Sequence, residues 1–136
     1  MADTLRLEIV TPQEIAFSED VHMVTLPAVE GEMGVYPHHV RLITQVVPGE
    51  IIVTRDGQDR FIAVGEGLVE VTGTRVSIVT DMAIPAEKID EAKIEEARAR
   101  AEARLREKIE DEEVATVNAS LARSLAQLHV KRRRRG

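Results

Sequence analysis

The rhythm of apolar and polar residues along this chain changes once, near Pro85. Before that point it is short. Leu5, Leu7 and Ile9 alternate with Arg6 and Glu8, the period-2 pattern of a strand with one wet face. Thr11-Pro12 ends that run, and strands are predicted next over residues 14–18 and 21–27, with Val24 and Leu26 inward. Further strands are predicted over 42–47 (stopping at Pro48-Gly49), 51–54, 61–64, 68–71 and 76–80. Asp56-Gly57 is a strong hairpin signal. Gly65-Glu66-Gly67 reads as another hairpin turn, and Gly73 marks a third. About ten short strands at regular spacing predict a sandwich or barrel. The connections are too short for crossovers, so all pairing is expected to be antiparallel.

From residue 86 to residue 130 there is neither Gly nor Pro, and helix formers dominate. A first helix is predicted over about residues 87–109, with Ile94, Ala97, Ala101, Leu105 and Ile109 on one face. A second places Val114, Val117, Leu121, Leu125 and Leu128 on one face. The break between them is placed at Asp111, within Asp111-Glu112-Glu113, although no glycine enforces it. The chain thus divides into a β-domain, residues 1–86, and a helical segment with a basic tail, residues 87–136.

Composition narrows the picture. Aromatic residues make up 2% of the chain, so the core is aliphatic and base-stacking platforms are scarce. There is no Cys, which excludes disulfides, thiolate metal sites and cysteine catalysis. The N-terminal residues run directly into strand alternation, without a signal-peptide or membrane-spanning pattern, and a protein that is not exported is expected. Charge is uneven: residues 1–86 carry net −8, residues 87–113 net −4 and residues 114–136 net +6, together −6. A basic tail on an acidic body points to an acidic partner.

No constellation supports catalysis. His38 and His39 are adjacent, and no third ligand follows at metal-site spacing, so they read as turn residues at an interface. Gly65-Glu66-Gly67 lacks the third glycine and the following helix of a dinucleotide fingerprint. The serines sit in no nucleophile elbow. A barrel-type enzyme, such as a cupin-like protein, needs a His/acid cluster across strands, which the sequence does not offer.

One segment carries more order than the rest: Gly31-Glu32-Met33-Gly34-Val35-Tyr36-Pro37-His38-His39, then Leu42-Ile43-Thr44 and Pro48-Gly49. Gly31 and Gly34 read as brackets of a tight turn that pushes Glu32 outward. Pro37 keeps Tyr36 extended before a second turn at the histidines. This segment resembles the signature of the epsilon subunit of rotary F-type ATP synthases. It departs at Val40 and Arg41, where that family more often has a small residue and a proline. Residues 117–130 resemble the family's second C-terminal helix.

The resemblance implies a ten-stranded antiparallel β-sandwich followed by a two-helix antiparallel hairpin. It implies a non-catalytic central-stalk subunit that couples proton-driven rotation to ATP synthesis, peripheral on the cytoplasmic face of a bacterial plasma membrane. The implied partners are the gamma subunit, the membrane ring of c subunits and the alpha/beta catalytic hexamer. Ring contact is implied for Gly31, Glu32, Met33, Gly34, His38 and His39. Inhibition of ATP hydrolysis by the helices is implied, through Arg123, Lys131, Arg132, Arg133, Arg134 and Arg135. Some family members bind ATP through an Ile/Leu-Asp-x-x-Arg-Ala motif plus arginines. Here Ile89 and Asp90 match, while Lys93 replaces the Arg and Ile94 the Ala, and Arg100 and Arg123 are the remaining phosphate candidates. Lysine does not reproduce a bidentate guanidinium, so at most weak regulatory ATP binding is expected and no other cofactor. The alternative is a nucleic-acid-binding adaptor using the polybasic tail on phosphates; the net −8 β-domain argues against it.

Overall fold

A computed structural model describes residues 3–133. Ten strands come first: β1 (Leu5–Val10), β2 (Ile15–Val21), β3 (Met23–Ala28), β4 (Gly31–Val35), β5 (Leu42–Val46), β6 (Gly49–Arg55), β7 (Gln58–Val64), β8 (Gly67–Val71), β9 (Arg75–Thr80) and β10 (Ala83–Pro85). A 3-10 turn, Ala86–Lys88, leads to two helices, α1 (Glu91–Leu105) and α2 (Asp111–Arg133). The strands form one continuous path, β10-β7-β6-β3-β5-β8-β9-β1-β2, with β4 added to β3. The path folds over itself, so that Leu5, Leu7, Ile9, Val24, Leu26, Val35, Ile51, Val53, Val69, Val71, Val76 and Ile78 meet in one aliphatic interior. The period-2 alternation produces this interior: in β1, β8 and β9 every second side chain is buried.

One pairing is not antiparallel. β1 lies parallel to β9, Arg6 opposite Arg75 through Val10 opposite Val79. The short-connection argument governs neighbours in sequence; β1 and β9 are separated by seven intervening strands, ample chain for a parallel return. The Asp56-Gly57 turn is as expected, with φ of 53° and 76° at its two residues, the pair of positive values that a two-residue hairpin requires. Gly65-Glu66-Gly67 is not a hairpin: β7 pairs with β6 and β10, whereas β8 pairs with β5 and β9. It is a corner between the layers. A Cβ on Gly67 would stand 2.0 Å from the carbonyl oxygen of Val79, so glycine is required there by backbone approach.

The helices differ from expectation at their ends. Ile89 is extended and the Asp90 carboxylate accepts from the Lys93 N–H, so α1 starts after Asp90. It ends at Leu105, short of Ile109. Asp111 opens α2, with Glu112 and Glu113 in the same turn, where carboxylates complement the helix dipole. Arg104 spans the connection, bonded to Glu107 and bidentate on Glu113 at 2.6 and 2.9 Å. The helices pack antiparallel, and α2 lies on the outer face of β6 and β7. A second apolar cluster of Ala63, Met82, Ile89, Ala126 and Val130 joins them. Leu125 is therefore not a core position; it is 46% exposed, because α2 turns Ala126 and Val130 toward the sheet.

Candidate functional site

The segment singled out in the sequence is a strand rather than a bracketed turn. Gly31-Glu32-Met33-Gly34-Val35 is β4, antiparallel to β3 with Gly31 opposite Ala28 and Val35 opposite Val24. The turn lies just before it, at Val29-Glu30, and Gly31 follows with φ of 127°. Gly34 lies within the strand without a positive φ, and a Cβ there would meet only the flexible end of Met23, Cε at 3.0 Å. Met33 packs against the interior, and Glu32 is exposed on an edge. A groove of about 560 Å³ separates this edge from α2, with Glu32 and Pro27 on one wall and Leu125 and His129 on the other.

The histidines form the second turn, as read. His38 has φ of 69°; its N–H donates to the Gly73 carbonyl at 2.7 Å and its Nε2 lies 2.8 Å from an Asp3 carboxylate oxygen. His39 Nδ1 lies 2.8 Å from the Val40 carbonyl. They follow the far end of β4 from Gly31 and Glu32, which lie about 10–13 Å from Val35 along the extended strand. The six ring-contact candidates thus do not converge on one spot. Among the described residues no group of three or more His, Cys, Asp or Glu side chains is arranged to hold a metal ion.

The nucleotide candidates do not converge either. Ile89 is buried in the second apolar cluster, and the Asp90 carboxylate caps α1. Lys93 and Arg100 are exposed on α1. Arg123 lies on the sheet side of α2, paired with Asp81 at 3.1 Å.

The basic end of α2 is folded in. The Lys131 ammonium donates to the Ala86 carbonyl at 3.3 Å. Arg132 pairs with Glu91 at 2.7 Å and with Glu95. Arg133 pairs with Glu50 at 3.1 Å. Arg134 and Arg135 lie outside the described residues. Hydrogen bonds from Arg98 and then Arg132 hold the Glu95 carboxyl below the ordinary glutamate range. Arg104 does the same to Glu113. Arg132 is raised in turn by Glu91 and Glu95.

Two features were not anticipated. The first is an apolar row on the outer face of the second layer. Leu68 stands opposite Val79, Val79 opposite Val10, and Val10 opposite Ile15, across β8, β9, β1 and β2. Leu68, Val79 and Ile15 are 55%, 60% and 63% exposed, beside a groove of about 550 Å³ that runs past Pro12 and Gly67. The signal was present as doublets: Ile9-Val10, Leu68-Val69 and Ile78-Val79. In a period-2 strand the second member of a doublet must face the other way. The second is Glu50, an acid buried on the outer face of β6 beneath α2.

Comparison with known proteins covers the chain in two consecutive parts. The family described as "ATP synthase, Delta/Epsilon chain, beta-sandwich domain" matches residues 4–86. That described as "ATP synthase, Delta/Epsilon chain, long alpha-helix domain" matches residues 87–132. An ATP synthase epsilon chain of Herpetosiphon aurantiacus is 38% identical over 131 residues, 96% of this chain and 96% of that one. One from Halorhodospira halophila is 39% identical, covering 92% of this chain and 90% of that one. Among solved structures, a chain in the Euglena gracilis mitochondrial ATP synthase, solved as OSCP/F1/c-ring in rotational state 1, superposes with a TM-score of 0.76. It is 26% identical, and the match covers 93% of this chain and 79% of that one.

Proposed function

We infer the role of this chain from the family it belongs to, the ATP synthase delta/epsilon family. It is an epsilon-type subunit of the central stalk of an F-type ATP synthase, where it couples rotation to ATP synthesis and carries out no bond-making of its own. The observation that carries this reading is that both family parts are present, in order, on one chain. Among the described residues no helix is long and apolar enough to cross a membrane, so the complex supplies its membrane association. We place that complex at a bacterial plasma membrane, with this chain on the cytoplasmic face.

The two outer surfaces suit two partners. The Leu68–Val79–Val10–Ile15 row is the kind of contiguous apolar strip that a stable partner covers, and the gamma subunit is our candidate. The β4 edge with Gly31, Glu32, Met33 and Gly34 is the candidate contact for the c-ring loops, Glu32 offering an exposed carboxylate to a polar loop. The helices are candidate inhibitors of hydrolysis, acting on the alpha/beta hexamer once α2 leaves the sheet and frees Arg123, Lys131, Arg132 and Arg133. Weak ATP binding would require Asp90, Lys93, Arg100 and Arg123 to come together from their separate positions. A nucleic-acid adaptor is the poorer reading, because Arg132 and Arg133 are engaged with Glu91, Glu95 and Glu50.

Co-purification tests the main reading: the chain should bring down a gamma-like subunit, and Leu68→Glu with Val79→Glu should abolish capture without changing the circular dichroism of the chain. Glu32→Cys should crosslink to a ring-loop cysteine in the assembled enzyme; no crosslink at any loop position sinks that placement. Removing residues 87–136 should raise ATP hydrolysis and leave synthesis nearly intact. Unchanged hydrolysis would confine the role to coupling.

A further inference from the structure

We propose that Glu19, Arg55 and Arg60 form an ionic clasp that shuts the open flank of the sandwich and bars the free edge of β2 from pairing with another copy of this chain. β2 ends the strand path, and among the described residues it pairs by backbone ladder with β1 alone. Across the flank lies the β6–β7 hairpin. The side chains that meet there all stand at inward positions of their strands. Glu19 is opposite Leu7 and Phe17 opposite Ile9. Arg60 is opposite Val53, and Arg55 follows Val53 by two. Leu7, Ile9 and Val53 line the interior, and partners across a ladder share a face. Period 2 therefore aims one acid and two guanidiniums at the gap between the layers, where apolar side chains are the rule.

Just past Val21 the gap is narrow enough for backbone contact. The His22 N–H donates to the Thr54 carbonyl at 2.9 Å, and His22 Nδ1 accepts from the Asp56 N–H at 3.0 Å. Farther back along β2, side chains bridge it. Arg55 and Arg60 both donate to Glu19 Oε1, at 2.6 and 2.8 Å. The Arg60 guanidinium also lies 4.9 Å from the centre of the Phe17 ring. Hydrogen bonding by Arg60, and then by Arg55, holds the Glu19 carboxyl below the ordinary glutamate range. A strand added to β2 would extend its layer across this flank, and its own inward side chains would need the space of the two guanidiniums. The clasp would break and leave Glu19 unpaired at the new seam. Inward charge on an edge strand is one way that sheets avoid growing. Apolar residues at the same three positions remove the obstacle, and such replacements of a charge cluster are often neutral or stabilising. Keeping copies apart and holding the fold together are thus separable roles.

The test uses the full-length isolated chain. Glu19→Leu with Arg55→Met and Arg60→Met should melt no lower than the native chain, yet dimerise at least about tenfold more tightly in analytical ultracentrifugation. Ser18 is the middle residue of β2 and the chain has no cysteine, so Ser18→Cys reports antiparallel pairing of two β2 strands as a disulfide under mild oxidation. The apolar variant should crosslink and the native background should not. Reversing the clasp, Glu19→Arg with Arg55→Glu and Arg60→Glu, should leave the chain as monomeric as the native one. Glu19→Leu alone frees both arginines to turn to water and should crosslink at an intermediate rate, which decides the matter even where the triple variant does not fold. Crosslinking no faster than native in both variants overturns the clasp. So does a dimer that Ser18→Cys fails to trap, or a reversed clasp that crosslinks as fast as the apolar one.

Discussion

Replacing Val130 with alanine should release α2 from the sheet while leaving the sandwich as stable as before. Val130 is fully buried, in a cluster shared with Ala63, Met82, Ile89 and Ala126 and separate from the sandwich interior. Its two methyl groups are worth about 1.6 kcal/mol of transfer free energy at about 0.8 each. A cavity against Ala63 and Met82 adds a fraction of a kcal/mol, because alanine neighbours collapse poorly. The end of α2 frays once it leaves the sheet, so the better helix propensity of alanine, about 0.5 kcal/mol, offsets part of this. The net loss is about 1.5 kcal/mol, a shift of about tenfold in the docking equilibrium. Hydrogen exchange is the assay: amides across the last two turns of α2 should lose protection, while those of β1, β8 and β9 keep theirs. Leu125→Ala, at a position 46% exposed, is the control and should do neither. Equal loss of protection in α2 and in β9 would refute the reasoning, because docking and sandwich would then be one cooperative unit.

Other consequences are as direct. Gly67→Ala places a Cβ 2.0 Å from the Val79 carbonyl oxygen and 2.9 Å from Thr80 Cα, both backbone, and should cost about 3 kcal/mol, visible as a lower urea midpoint. Glu95 and Glu113 titrate below the ordinary range because Arg98, Arg132 and Arg104 favour their charged forms. Their contribution is present above the unfolded value of about 4.3 and lost as pH falls through it toward the folded value. The distance between spin labels placed on α1 and α2 should therefore broaden below about pH 4, and a preparation already in 1 M salt should show a flatter dependence; an unchanged distance at pH 3 in low salt refutes this. Residues 1–86 alone should give a cooperative melt, since the interior cluster draws only on strands. They should also bind a hydrophobic dye through the uncovered Phe61, Ala63, Met82 and Ile84, and absence of dye binding would contradict the placement of α2.

Period and punctuation carried eight of the ten strands, the inward positions of β1 and β3, and the Asp56-Gly57 hairpin, because each is decided by neighbours in sequence; β4 was read as a turn and β10 was not placed. The corner at Gly65-Glu66-Gly67 was misread as a hairpin for the same reason: glycine marks a bend without saying which strands it joins. Gly31 and Gly34 were paired as turn residues, yet only Gly31 has a positive φ, and Gly34 lies inside β4. That distinction depends on the pairing of β4 with β3, which no neighbour in sequence reveals. The apolar stripe of α2 was correct for a helix meeting one partner. It missed Ala126 and wrongly enlisted Leu125, because α2 answers to both α1 and the sheet. The basic run was legible as charge, but its partners were not: no local pattern connects Arg133 to Glu50, and nothing in the sequence around Glu50 distinguishes it from the solvated acids nearby.

The parallel pairing of β1 with β9 sets an order of events during synthesis. Arg6 through Val10 find their β9 partners only once residues 75–79 have left the ribosome, so this part of the sheet is closed by nearly the last strand made. Pairings of such long sequence separation form slowly, and until then the β1–β2 ribbon has a free edge open to pairing with another chain. Arg6 and Glu8 on its wet face discourage that encounter. The helices emerge afterwards and depend on the strands already being in place, since the face that receives α2 is built from β6 and β7. Folding therefore has a built-in sequence, in which the helical pair is added last to a finished platform.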